Sequence, residues 1–218
     1  MRWLPLLMMA LAPAASWGQG WLGVDVGQRL PHGWSWGSEA QWRTPHGLTA
    51  FNEVIWDVGL KRKMDAVKGL SLDAQWRTGW EQPPSGGMQT SWRWATSARW
   101  KTDVGDHELA LRLRHQFGGP WLRSWDNARW RAQAAWTHDL PKGWKLEPSL
   151  EAFMRFSSAG NRALRGRLML DKKLSKRKRL SAGFQSQHAP GEQPVQTVIV
   201  AYAWSLKKWK KRVEEPGE

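Results

Sequence analysis

From residue 21 onward apolar and polar side chains alternate with a period of two, and no other feature narrows the possible folds as far. Trp34, Trp36, Ser38, Ala40 and Trp42 interleave with Ser35, Gly37, Glu39, Gln41 and Arg43. Leu70, Leu72, Ala74, Trp76, Thr78 and Trp80 interleave with Ser71, Asp73, Gln75, Arg77 and Gly79. Trp92, Trp94, Thr96, Ala98 and Trp100 interleave with Arg93, Ala95, Ser97, Arg99 and Lys101. The rhythm recurs in 48–63, 108–117, 127–138, 144–156, 162–174, 179–188 and 196–206, and more weakly in 21–30. Successive side chains of a strand point to opposite faces, so each segment has one apolar and one polar face. The spacing predicts an all-β chain with eleven strand candidates.

Two kinds of connection separate them, and they alternate. Pro31-His32-Gly33, Met64 to Gly69, Asp103 to Asp106, Asp139 to Gly143 and Ser175 to Lys178 are short turns. Thr44 to Gly47, Glu81 to Gln89, Gly118 to Ser124, Ser157 to Asn161 and Ala189 to Pro194 are loops, several of them longer and richer in Gly and Pro. Short turns at one end and longer loops at the other are the asymmetry of outer-membrane β-barrels.

Alternation alone does not distinguish a membrane barrel from a soluble, exported β-sandwich that binds an acidic polymer. The tryptophans do. Of nineteen, thirteen fall on the apolar face of a strand: Trp34, Trp36, Trp42, Trp56, Trp76, Trp80, Trp92, Trp94, Trp100, Trp130, Trp136, Trp144 and Trp204. Of the rest, Trp3 and Trp17 precede the strands, Trp21 opens the first, Trp121 and Trp125 flank a loop, and Trp209 lies in the tail. Many of the thirteen sit near strand ends with Ala, Leu or Thr between them. An indole has an apolar body and one N–H, which suits the boundary between hydrocarbon and headgroups. A sandwich would have to bury all thirteen against small partners. All of them but Trp56 and Trp130 are the residues we assign to that interfacial girdle.

The opposite face carries charge. Lys and Arg together number 33 against 19 Asp and Glu, for a net +14. By alternation Arg43, Arg77, Arg93, Arg99, Arg112, Arg114, Arg129, Arg131, Arg155, Arg165 and Arg167 point inward, with Glu39, Glu53, Asp57, Asp73, Glu108, Glu147, Glu151 and Asp171. An open sheet in lipid would expose unpaired edge amides, so the sheet is expected to close. Two interiors fit this composition: a plug of arginine–carboxylate pairs, or a narrow pore whose surplus arginines attract anions. Bacterial barrels usually have an even number of strands. The expectation is therefore ten, with 21–30 outside the wall, or twelve, with one long segment concealing a further strand.

Residues 1–18 read as a secretory signal peptide. Arg2 supplies the positive start, Trp3 to Ala12 the apolar stretch, and small residues follow, with cleavage after Ala14 or Gly18. Residues 19–206 are the expected barrel, and 207–218 a basic tail. Mean hydropathy is −0.63 and no apolar run reaches about 18 residues, which excludes helical spans and says nothing against strands. With no cysteine there is no disulfide framework, thiolate metal site or cysteine nucleophile. Basic charge and indoles also form a nucleic-acid signature. Export and the separation of the two onto opposite faces argue against that partner. The partners expected are outer-membrane lipids and, during insertion, the barrel-assembly machinery, with a monomer as the default.

No metal or cofactor is expected. His32, His46, His107, His115, His138 and His188 form no metal-ligand spacing, and no phosphate loop or nucleophile elbow is present. Ser186 and His188, two apart on the lipid-side face, raise the alternative of a lipid-modifying hydrolase. No acid at a suitable strand position orients the histidine as a triad requires.

The second half carries a family likeness. Trp125-Asp126-Asn127, Arg129 and Arg131 are followed by Lys145, Pro148, Glu151 and Phe153, then Asn161-Arg162, Arg165-Gly166-Arg167 and a lysine-rich turn before Leu180, Gly183 and Phe184. This order resembles bacterial outer-membrane β-barrels of domain of unknown function 2490. The resemblance implies a single barrel in the Gram-negative outer membrane and no particular activity. Tyr202-Ala203-Trp204-Ser205-Leu206 is followed by twelve further residues, a departure from barrels that end on an aromatic.

Overall fold

The structure is a computed structural model that describes residues 18–44, 53–82, 86–120, 128–155 and 163–207. The strands are β1 (Gln19–Arg29), β2 (Trp34–Thr44), β3 (Glu53–Lys63), β4 (Leu70–Glu81), β5 (Gln89–Val104) and β6 (His107–Pro120). They continue with β7 (Arg129–Leu140), β8 (Trp144–Arg155), β9 (Ala163–Lys173), β10 (Lys178–His188) and β11 (Val195–Ser205). Among the described residues no helix is long and apolar enough to cross a membrane. The signal peptide, apart from Gly18, and the tail beyond Lys207 lie outside the described residues, as do Trp3, Trp17, Trp121, Trp125 and Trp209.

All eleven strands belong to one closed barrel in which each is hydrogen-bonded to the next in sequence and β11 returns to β1. Eleven lies within the ten to twelve strands expected of the barrel, and it corrects the even-number alternatives of ten or twelve. Segment 21–30 belongs to a full wall strand, and among the described residues no segment conceals a twelfth. The odd number closes because β1 and β11 run parallel, from Gln19 opposite Thr197 to Gly27 opposite Ser205, whereas every other neighbouring pair is antiparallel. Closure demands only that each edge amide find a partner, and a parallel ladder supplies partners at slightly lower stability per residue. One consequence is polarity. Ser205 lies at the end of the barrel with the short turns, while Gln19 lies at the end where the longer connections leave the wall.

Turn chemistry accounts for the tight end. Leu30 N–H donates to Trp34 O (2.9 Å), and His32 and Gly33 both take positive φ (54° and 75°), the geometry that matches hairpin twist. A single 3₁₀ turn, Pro141–Gly143, joins β7 to β8, with Lys142 and Gly143 at φ 59° and 74°. Gly69 is held by close approach as well as by φ 85°: a Cβ there would sit 2.0 Å from Lys101 O.

The register separates the two faces. Leu60, Ala74, Thr96, His115 and Trp130 are successive cross-strand partners on the outside. One residue along, Lys61, Asp73, Ser97, Arg114, Arg131 and Phe153 form the facing row inside. Burial is inverted relative to a water-soluble domain. Leu150, Leu164 and Leu22 are 57%, 53% and 55% exposed, while Asp57, Thr197 and Glu151 are 2%, 1% and 4% exposed. A two-sheet sandwich with an apolar interior is therefore not the fold.

The parallel seam is directly testable, because the chain has no cysteine of its own. Leu22 and Val200 are paired across it on the outer face. The double variant Leu22→Cys/Val200→Cys is expected to form an intramolecular disulfide in the folded protein, since neighbouring strand positions fall within disulfide reach. Leu22→Cys/Val198→Cys, two residues out of register on the same face, should cross-link far less, as read by gel mobility with and without reductant.

Candidate functional site

The barrel encloses polar cavities rather than a packed apolar core. One of about 540 Å³ is bordered by Arg43, Arg77, Arg93, Arg112, Arg114 and Arg129, and by Arg131, Arg165 and Arg167. Arg99 borders a second cavity of about 300 Å³, together with Asp25, Lys61 and Asp73. Residues of the larger cavity include Trp21, Phe153 and Gln187 near the loop end; those of the smaller include Ser35 and Lys61 near the turn end. Glu39, Gln75, Arg112 and Arg114 border both, and so mark the waist between them.

Carboxylates tie some of these arginines to the wall. Glu151 on β8 is a hub. It receives Arg131 through two hydrogen bonds (Nε–Oε1 3.0 Å, Nη2–Oε2 2.6 Å), Arg112 at 2.9 Å and Arg165 at 3.4 Å. Those three guanidinium groups come from β6, β7 and β9, so one buried acid links four strands. Asp57 pairs with Arg77 through both carboxylate oxygens, the fork geometry that arginine forms best. Arg114 donates to Ser97 Oγ (2.9 Å), which in turn donates to Asp73 (3.0 Å), and Arg114 lies 3.7 Å from that acid. Arg43 reaches Glu53 at 3.4 Å.

Other arginines have no such tie. Among the described residues Arg93, Arg99 and Arg167 form no ion pair, and the buried Nε atoms of Arg99, Arg112 and Arg167 have no hydrogen-bond partner. Buried polar groups are normally satisfied by a hydrogen bond, so these guanidinium groups are held less firmly than those tied to carboxylates. At the loop end aromatic rings also pack against three of the carboxylate-tied guanidinium groups. Phe153 lies between Arg131 (4.6 Å) and Arg165 (4.7 Å), and Trp21 lies 4.0 Å from Arg43. Trp21 is thus a luminal residue. Its position in the weakest stretch of alternation hid it, since Gly23 and Gly27 leave its own face with few side chains to compare.

The tryptophans of the expected girdle lie on the outer face in three groups. Trp42, Trp80 and Trp92 are near the loop ends of their strands, Trp76 and Trp94 lie midway as cross-strand partners, and Trp34, Trp36, Trp100, Trp136, Trp144 and Trp204 lie toward the turn ends. Trp76 stacks on Trp92 with ring centroids 5.4 Å apart. Indole N–H groups find local acceptors: Trp36 donates to Gln28 (3.2 Å) and Trp76 to Thr78 (3.1 Å).

Ser186 Oγ and His188 Nε2 are 3.0 Å apart on the outer face. Among the described residues no carboxylate hydrogen-bonds or ion-pairs with His188 to complete a triad. His107 and His138 face each other across β6 and β7 with Nδ1 atoms 2.9 Å apart.

Two solved structures share this architecture. One is described as "KdgM porin": 15% identity, TM-score 0.52, covering 84% of this chain and 89% of that one. The other, "KdgM porin in complex with disordered oligogalacturonate", shows 14% identity and TM-score 0.52, covering 84% and 90%. At that identity the likeness concerns the fold, a porin-like β-barrel. No curated protein matches the chain. Residues 18–197 match the family described as "Protein of unknown function (DUF2490)", and with most of its length matched the chain belongs to that family.

Proposed function

We propose that the protein is a narrow outer-membrane channel for anionic solutes, with its outer face in lipid and its arginines lining the passage. The observation that carries this reading is the excess of guanidinium groups around the larger cavity: nine border it, against Glu39, Glu151 and Glu192 as its acids. A confined cationic space with low-dielectric walls concentrates anions and repels cations. The KdgM structure described as a complex with oligogalacturonate supplies a candidate solute class by analogy, acidic oligosaccharides. Guanidinium forks spaced along a passage would hand a polyanion from one carboxylate contact to the next.

In this reading Arg93, Arg99 and Arg167 meet the solute, whereas Glu151 sets the geometry of the passage by holding Arg112, Arg131 and Arg165 near the wall. The Ser186–His188 pair supports a second reading, acyl-ester hydrolysis at the lipid surface, on its 3.0 Å contact alone. Ser186→Ala is expected to leave the lipid profile of reconstituted membranes unchanged. A loss of lysophospholipid release on that substitution would revive the hydrolase.

Planar-bilayer recording of the refolded barrel across a KCl gradient tests the channel. The expected reversal potential has the sign of chloride selectivity, and oligogalacturonate added on the loop side should block the current. Absence of conductance, or cation selectivity, would contradict the reading. Arg93→Gln/Arg99→Gln/Arg167→Gln should move the chloride-to-potassium permeability ratio toward one without loss of folding. Glu151→Gln should raise that ratio and lower unfolding stability by about 3–5 kcal/mol in urea titrations, because it leaves three buried guanidinium groups without their shared acid.

A further inference from the structure

The outer face of the strands carries no aspartate or glutamate among the described residues, and its only lysine or arginine side chains are Arg62, Lys172 and Lys178. All three are at the turn end, and each is the direct cross-strand partner of a tryptophan. Arg62 is opposite Trp34, Lys172 opposite Trp144 and Lys178 opposite Trp204. The placement repeats in detail: in each pair one residue opens its strand and the other is the last but one of its own. Arg62 lies over the Trp34 ring at 5.4 Å, and Lys172 over the Trp144 ring at 4.9 Å. Among the described residues none of the three cations forms an ion pair.

A cation on a membrane-facing wall is costly unless it reaches the headgroups, and here each lies at that level beside an indole. For Arg62 and Lys172 the ring face satisfies part of the charge while donor N–H groups remain available. A neutral zwitterionic headgroup would bring its own cation into the same space. Headgroups with phosphate and no ammonium would complement these positions, with their acyl chains against the neighbouring outer-face residues Leu60, Leu170 and Leu180. We infer that these three tryptophan–cation pairs are anionic-phospholipid contacts spaced around the turn-side rim, selective for phosphatidylglycerol over phosphatidylcholine. The inference rests on the reading that the wall spans a bilayer. Lys172 and Lys178, on adjacent strands β9 and β10, are the closer-spaced contacts, with Arg62 on β3 forming a separate contact.

Native mass spectrometry of the full folded chain, released from nanodiscs of mixed phosphatidylglycerol and phosphatidylcholine, reads the selectivity directly. Retained adducts should be enriched in phosphatidylglycerol. Arg62→Gln/Lys172→Gln/Lys178→Gln should reduce that enrichment roughly tenfold or more, given about 1 kcal/mol per surface cation. Lys61→Gln/Lys101→Gln/Lys145→Gln removes the same charge from the inner face and should leave the enrichment intact. Equal loss in both variants, or no enrichment in the parent barrel, would overturn the site. Heat-modifiable gel mobility in phosphatidylcholine alone shows separately whether the wall inserts, so failure of the membrane reading is distinguishable from failure of the lipid site.

Discussion

Hydrogen bonding of the backbone in a place without water is the constraint on which the rest of this structure depends. A sheet whose outer face is apolar cannot leave an edge unpaired in lipid, so it must close whatever its strand count. Eleven strands oblige the first and last to run parallel, and the chain accepts this from Gln19 to Gly27. Closure then creates the interior. The polar face of every strand is turned into one confined space, and the arginines that alternation places there have nowhere else to go.

Inside that space the balance of charge determines behaviour. Around the larger cavity nine arginines stand against three acids, and one of those acids, Glu151, serves three of the arginines. Buried ion pairs are poor contributors to net stability, but removing one partner is costly, so Glu151 acts as a fastening for β6 to β9 rather than as a source of stability in itself. Arginines without an ion pair, such as Arg93 near the loop end and Arg99 toward the turn end, stand among those tied to the wall. On the reading proposed above, plug and pore are two parts of one interior.

Much of the architecture was legible in the chain because a period of two is a local property. The Trp34–Trp42 and Trp92–Trp100 stretches alternate so cleanly that face and strand can be read together. Parity was not legible. A parallel seam looks no different, residue by residue, from an antiparallel one, and the even-number habit of bacterial barrels pointed to ten or twelve. Glu151 also read as one inward acid among several, because its partners Arg112, Arg131 and Arg165 are brought to it only by register. The tryptophan–cation pairs were hidden for the same reason. Trp34 and Arg62 are 28 positions apart in sequence, and only the β2–β3 pairing places them side by side.

The separation of faces is the central claim, and a cysteine-free chain allows it to be measured one residue at a time. Single cysteines placed in turn at positions 91 to 100 of β5 would be treated, in lipid bilayers, with a membrane-impermeant charged thiol reagent. The account predicts labelling with a period of two, strong at Ser91, Arg93, Ser97 and Arg99 and weak at Trp92, Trp94, Thr96 and Ala98. Uniform labelling along the strand, or labelling of the tryptophan positions in preference to the arginine positions, would contradict it.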